Sequence, residues 1–412
     1  MTRAQILFVV GTLLLGAQAA SLRAAEPAAP TPPDLTAGGE KDKSHDWLLG
    51  PTGLRGWMFY HEGRTIHARQ ILVTAVDAGS PADGILAVGD VLLGAAGKRF
   101  DGDPRIQLAN AITAAETEQG RGVLRLTRWR SGTIDENDGI VADVELALPV
   151  LGTYAATAPY DCPKSKAIFE QGCELIATGG LTSGVGLAGN LNMLALLAAG
   201  EEHRPLLAEY ARKLAPQMNL QKAGCWNHAY MNLFLAEYVL ATGDQEMLAE
   251  LGRTTLDAVR AQSTYGTWGH GGRKPNGNCS GYGAMNQVGV AMTVSLVVAR
   301  EAGVEDPALD AAIDKSVNFL RWYVDKGAIP YGVHPAWTQT HDDNGKTSLA
   351  AVLFDLAGDR EAVSFCSRMG TAAYDEREQG HCGNWFNVMW ALPGVSRCGP
   401  LATGAYLAEQ RW

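Results

Sequence analysis

"GSPADGILAVGDVLLGAAGKRF", residues 79–100, sets turn residues at Gly79-Ser80-Pro81 and Gly97 around short apolar runs. Such punctuation breaks helices and suits brief strands joined by tight turns. Upstream, Ile71 to Val76 alternates apolar and polar residues, and a second apolar strand runs from Asp90 to Gly94. Downstream, Pro104 opens a helix that sets Ile106, Ala109, Ile112 and Ala115 at helical spacing. "GVLRLTRWR" (122–130) then closes the module with another alternating strand. Short strands plus one helix make a small, partly open sheet with one covered face.

The pattern V-x-x-V-x-x-G-S-P-A from Val73, followed by V-G-D-V-L from Val88 and a Gly turn, resembles the PDZ domains of bacterial envelope proteases. The resemblance covers residues 47–150. It implies an extended peptide C-terminus added as a strand between one strand and the helix, its carboxylate on backbone N–H groups of a Gly-rich loop. The matching loop is "GPTGLRGWMF", so Gly53, Leu54, Arg55, Gly56 and Trp57 are the implied peptide-binding residues. It departs from the family's G-L-G-F, and Arg55 is either a charge-assisted carboxylate partner or a solvated surface cation.

The chain of 412 residues exceeds one ordinary core, which predicts two domains. A net charge of −10 with no Lys/Arg run argues against nucleic acid and anionic membranes as partners. Residues 1–20 carry one Arg, an apolar stretch from Ile6 to Leu15, and small residues at Ala17 and Ala19. That is the pattern of an export signal, too short to span about 30 Å of hydrocarbon. It predicts a periplasmic or extracellular protein. Residues 21–46, rich in Pro, Ala and charge, read as a disordered linker. Export also makes disulfides an option for the seven cysteines, an odd number that leaves one unpaired within the monomer.

From residue 160 onward the apolar period lengthens to that of helices, predicting amphipathic helices at 203–216, 245–263, 306–327 and 360–377. Between them stand segments apolar on every side, such as "VGVAMTVSLVVA" (288–299) and "NLNMLALLAAG" (190–200). Helices apolar all round are buried and striped ones lie outside, so their alternation predicts an inner and an outer ring. This is an all-α (α/α) toroid of about five hairpins, short enough to be an incomplete ring. "QSTYGTW" (262–268) and "QGHCGNW" (379–385) match Q-x-x-x-G-x-W, and "QKAGCW" (221–226) is one residue short of it. They resemble the QW repeats of terpene cyclases and their toroid relatives, in which Gln and Trp tie consecutive hairpins. The cyclases' D-x-D-D acid is absent, and so is the prenyltransferases' D-x-C zinc set. An export signal, a PDZ module and a toroid together resemble a family of secreted bacterial proteins with no assigned reaction.

The loops entering the inner helices gather the unusual side chains. Because inner helices run in one sense, Trp226, His228, Trp268, His270, Trp337, His381 and Trp385 are expected around one polar, aromatic mouth. Asp342 and Asp343, beside His341, are the candidate acid and base if one carboxyl is held protonated. Asn227, Asn286 and Asp343 serve equally well as helix caps. Cys225, His228, Cys279, His381 and Cys382 have zinc-ligand chemistry, in competition with disulfides joining Cys225 to Cys279 or Cys382 to Cys398.

The expectation is thus a two-domain exported protein. Its first domain captures polypeptide ends, and its second offers a pocket suited to acid/base work on an envelope glycan or peptide. A non-catalytic interaction scaffold and a zinc-dependent transferase or cyclase are the alternatives.

Overall fold

Alternation governs the N-terminal region of the computed structural model, which describes residues 46–60, 64–132, 139–281, 283–342, 345–377 and 385–410, with the backbone alone at 182, 183 and 385. In β3 (Ile71–Val76), Ile71 and Val73 are buried and Leu72 and Thr74 are half-buried. An antiparallel sheet runs in the order β1 (Asp46–Leu48), β2 (Leu54–Trp57), β3, β4 (Val91–Ala95), β6 (Val123–Arg130), β7 (Ile140–Ala147), with β5 (Lys98–Arg99) on β4. The strand at 123–130 does not close the sheet as expected. β7 pairs with it along eight residues, from Val123 opposite Ala147 to Arg130 opposite Ile140.

Helix α1 (Pro104–Ala115) covers one face. Asp103 caps it by accepting the Arg105 N–H at 3.0 Å, and Pro104 takes the first helical position, where a missing N–H costs nothing. Its buried stripe is Leu108, Ala111, Ile112 and Ala115. Of the expected positions Ile112 and Ala115 are buried, while Ile106 and Ala109 are only half-buried.

A separate core forms in the helical region. It comprises α2 (Pro163–Gly179), α3 (Leu187–Ala199), α4 (Arg204–Leu214), α5 (Leu220–Thr242), α6 (Gln245–Ala261), α7 (Asn286–Glu301), α8 (Pro307–Arg321), α9 (Lys346–Leu356), α10 (Arg360–Ala372), α11 (Trp385–Ser396) and α12 (Pro400–Gln410). Every residue of α7 from Asn286 to Ala299 is buried, as its unbroken apolar character requires. In α3, by contrast, burial is confined to Gly189, Asn190, Met193 and Leu196. The striped helix α8 buries Leu309, Ile313 and Leu320, each worth about 1.5–3 kcal/mol.

Packing follows a simple succession. α3 lies on α5, α5 on α7, α7 on α9 and α9 on α11. α11 then returns to α5: Trp226 meets Phe386 at 4.7 Å between ring centroids, and the Trp390 indole donates to the Tyr230 hydroxyl at 2.9 Å. One buried polar cluster links three of these helices. Asn232 of α5 accepts from Thr254 and Thr255 of α6 at 3.0 and 3.2 Å and donates to Ser295 of α7 at 3.3 Å.

The two regions meet at one buried ion pair. Lys164, in the first turn of α2, lies 2.7 Å from Glu116 at the end of α1, and both side chains are closed to solvent.

Candidate functional site

The first candidate site is built from β2 and α1. Gly53 has φ 73°, and a Cβ there would collide with Ser80, so glycine alone makes the turn into β2. Leu54 and Trp57 point into the core. Both edges of β2 are paired, with β3 on one side and β1 on the other, Leu48 facing Arg55, Trp47 facing Gly56 and Asp46 facing Trp57. That edge of β2 is occupied by β1. Arg55 is part-exposed and paired: its Nε donates to the Asp46 carboxylate at 3.1 Å and its Nη2 to the Asp46 carbonyl at 2.9 Å. Thr74 Oγ1 donates to the other Asp46 oxygen at 2.6 Å.

Beside β1 lies a cleft of about 550 Å³, lined by Trp47, Leu49, Leu108, Ile112, Tyr154 and Ile168 among others. The Arg105 guanidinium sits 5.1 Å from the Trp47 ring centre. The volume suits a short peptide segment or a small ligand. Trp47, Arg105 and Tyr154 escaped sequence reasoning, because nothing local marks residues that meet only across the fold.

The second candidate lies at one end of four packed helices. The N-terminal ends of α5, α7, α9 and α11 come together there. Cys225 N–H donates to the His270 carbonyl at 2.8 Å, and Asn286 Nδ2 donates to the Pro330 and Gly332 carbonyls at 2.9 and 3.0 Å. Gly224, at φ 72°, breaks the first turn of α5 from the rest and lets the 270 loop approach.

The expected side chains divide between structural and exposed roles. Trp226 packs on Phe386. Trp268 is fully buried and donates its indole N–H to the Ala258 carbonyl at 2.9 Å, while Gln262 donates to Ala312 on α8 at 2.8 Å. His228 is buried, and its Nε2 lies 3.0 Å from the Thr254 carbonyl on α6. Burial lowers its pKa, which favours the neutral ring. His270 and Trp337 are exposed. Asp343, His381, Cys382 and the Trp385 side chain lie outside the described residues.

Asp342 is a structural residue, contrary to the expectation that it works as acid or base. It is 1 % exposed, accepts the Thr347 and Ser348 N–H groups at 2.7 and 3.2 Å, and pairs with Arg377 at 2.8 Å. It therefore satisfies the first turn of α9. His341 Nδ1 lies 2.7 Å from Glu376 Oε2, and its ring is 5.1 Å from Trp337. A carboxylate that fixes one imidazole nitrogen leaves the other for proton transfer. Glu376 and Arg377 gave no sequence signal.

Cys225, Cys279 and His228 are buried and hydrogen-bonded within the fold. Burial pushes the Cys225 thiol up to about 12, with Cys279 nearby adding to the shift, and its Sγ donates to the Gly271 carbonyl at 3.2 Å. Burial also raises Cys279, whose Sγ faces the Thr267 carbonyl at 3.8 Å. Among the described residues no cluster of three metal-ligating side chains occurs, and Cys225, Cys279 and Cys398 are free thiols rather than the expected disulfide partners. No helix among the described residues is long and apolar enough to cross a membrane.

Compared with known proteins, residues 165–412 match a family described as Domain of unknown function (DUF6288). No curated protein and no solved structure matches the chain.

Proposed function

The chain belongs to the DUF6288 family, and we propose for it a function read from its own geometry: an exported protein whose PDZ-like domain binds an extended peptide or polypeptide C-terminus along β2, beside α1. The single observation that carries this reading is that a strand already lies there. Residues Asp46–Leu48 run antiparallel to β2, ending at the Gly-rich turn, in the orientation that strand addition requires. The strand–turn–strand–helix–strand order and the cleft along α1 support it. The helical region is an α/α toroid. In support, α5, α7, α9 and α11 follow one another and return to the first, and Gln262 and Trp268 join neighbouring hairpins as QW residues do.

The test is a peptide array of free and amidated C-termini probed with the full chain. Capture that depends on a free carboxylate and on Arg55 is expected; no capture by the full chain or by variants altered in β1 ends the reading.

A second reading, acid/base chemistry on an envelope glycan or peptide, draws on the pairing of His341 with Glu376. Turnover of peptidoglycan fragments that is lost in His341→Ala and Glu376→Gln would support it, and no turnover by the full chain would leave the toroid a scaffold.

A further inference from the structure

We propose that β1 is a built-in plug of the peptide site, with Asp46 as its latch, and that the plug's own sequence gives the ligand class: a C-terminal segment with an acidic residue third from the end, then an aromatic and an aliphatic residue. This rests on the peptide-binding reading above.

Among the described residues the ladder of β1 to β2 spans Asp46, Trp47 and Leu48. Leu48 is 70 % exposed, so apolar burial there does not hold the strand down. Trp47 packs against the domain core, and the polar part of the hold sits at one end. Asp46 is gripped through one carboxylate oxygen by Arg55, through the other by Thr74, and through its backbone carbonyl by Arg55 again. Arg55 belongs to β2 and Thr74 to β3, so both stay in place when β1 leaves. What remains is a receptor with one cation and one hydroxyl, spaced for a carboxylate. Trp47 is placed against Arg105 on α1 and against Tyr60 at 5.9 Å, so an aromatic residue after the acid meets both walls.

A peptide competing for this edge binds only the fraction of molecules whose plug is open. A site closed nine-tenths of the time binds about tenfold more weakly than an open one. The probe is fluorescein-labelled KDKSHDWL, the chain's own residues 41–48 with a free C-terminus, and the protein is the full chain. By fluorescence anisotropy, Asp46→Asn and, independently, Trp47→Ala are expected to bind it about tenfold more tightly than the unaltered chain. Thr74→Val added to Asp46→Asn removes that gain, and a KDKSHNWL probe binds neither opened variant well. Equal binding of KDKSHDWL by the unaltered chain and both opened variants overturns the plug. If array peptides bind all three proteins alike, the plug fails and the peptide-binding reading stands. If none of the three captures any peptide, that reading falls and takes the plug with it.

Discussion

The Trp390 indole N–H donates to the Tyr230 hydroxyl at 2.9 Å, joining α11 to α5 across most of the helical region's sequence. Burial holds the Tyr230 phenol protonated far above its usual pKa, so it is a permanent neutral acceptor. Tyr230→Phe and Trp390→Phe are each expected to cost about 1–3 kcal/mol by leaving a buried group unmatched. The double variant should cost less than the sum, which urea unfolding of the four proteins measures.

Asp342 and Arg377 form the most enclosed ion pair of the helical region, with side chains 0 and 2 % exposed. Asp342→Ala leaves a buried guanidinium and the first turn of α9 unsatisfied. A loss of about 3–5 kcal/mol in unfolding free energy is expected. Asp342→Leu with Arg377→Met should recover part of it. Full stability in Asp342→Ala would return the residue to consideration as a working acid or base.

His228 gives the fold a pH dependence of known sign. Its pKa is lowered by burial in the folded chain and returns to about 6.5 on unfolding. Below that value the unfolded chain binds the extra proton, so stability is whole above about pH 6.5 and falls as the solution is acidified. The slope approaches about 1.4 kcal/mol per pH unit. In His228→Gln, chemical denaturation from about pH 7 down to about pH 5 should lose this component.

Lys164 is the only residue whose ammonium answers the buried Glu116 carboxylate among the described ion pairs. Lys164→Met is expected to destabilise by about 3–5 kcal/mol. Hydrogen exchange should rise at residues 116–122 and 151–170, where the Glu116 carbonyl also accepts the Leu151 and Gly152 N–H groups. Glu116→Leu in the same chain should restore much of the protection.

Periodic residues were readable and pairwise ones were not. The turn at Gly79-Ser80-Pro81, the helix opened by Pro104 and the all-round apolar α7 each follow from local rules of spacing and capping. β1 escaped notice because three residues carry no period, and its partner strand lies across a turn. The face of α1 was read only in part, because Leu108 and Ala111 give as good a helical stripe as Ile106 and Ala109, and only the sheet beneath chooses between them. Asp342 looked chemical because its partner Arg377 comes 35 positions later in the sequence. Glu376 was missed for the same reason, since an ordinary acidic residue gains meaning only from the histidine it meets.

One helix belongs to both halves of the molecule. Along its length α1 lines the cleft with Leu108 and Ile112, and just past its end Glu116 grips the first turn of α2. Sliding α1 to widen the cleft must either drag Lys164 along or separate two opposite charges out of reach of water. The cleft is walled by α1 and, at Ile168, by α2 itself, so its two sides belong to the two regions that the Lys164–Glu116 pair ties together.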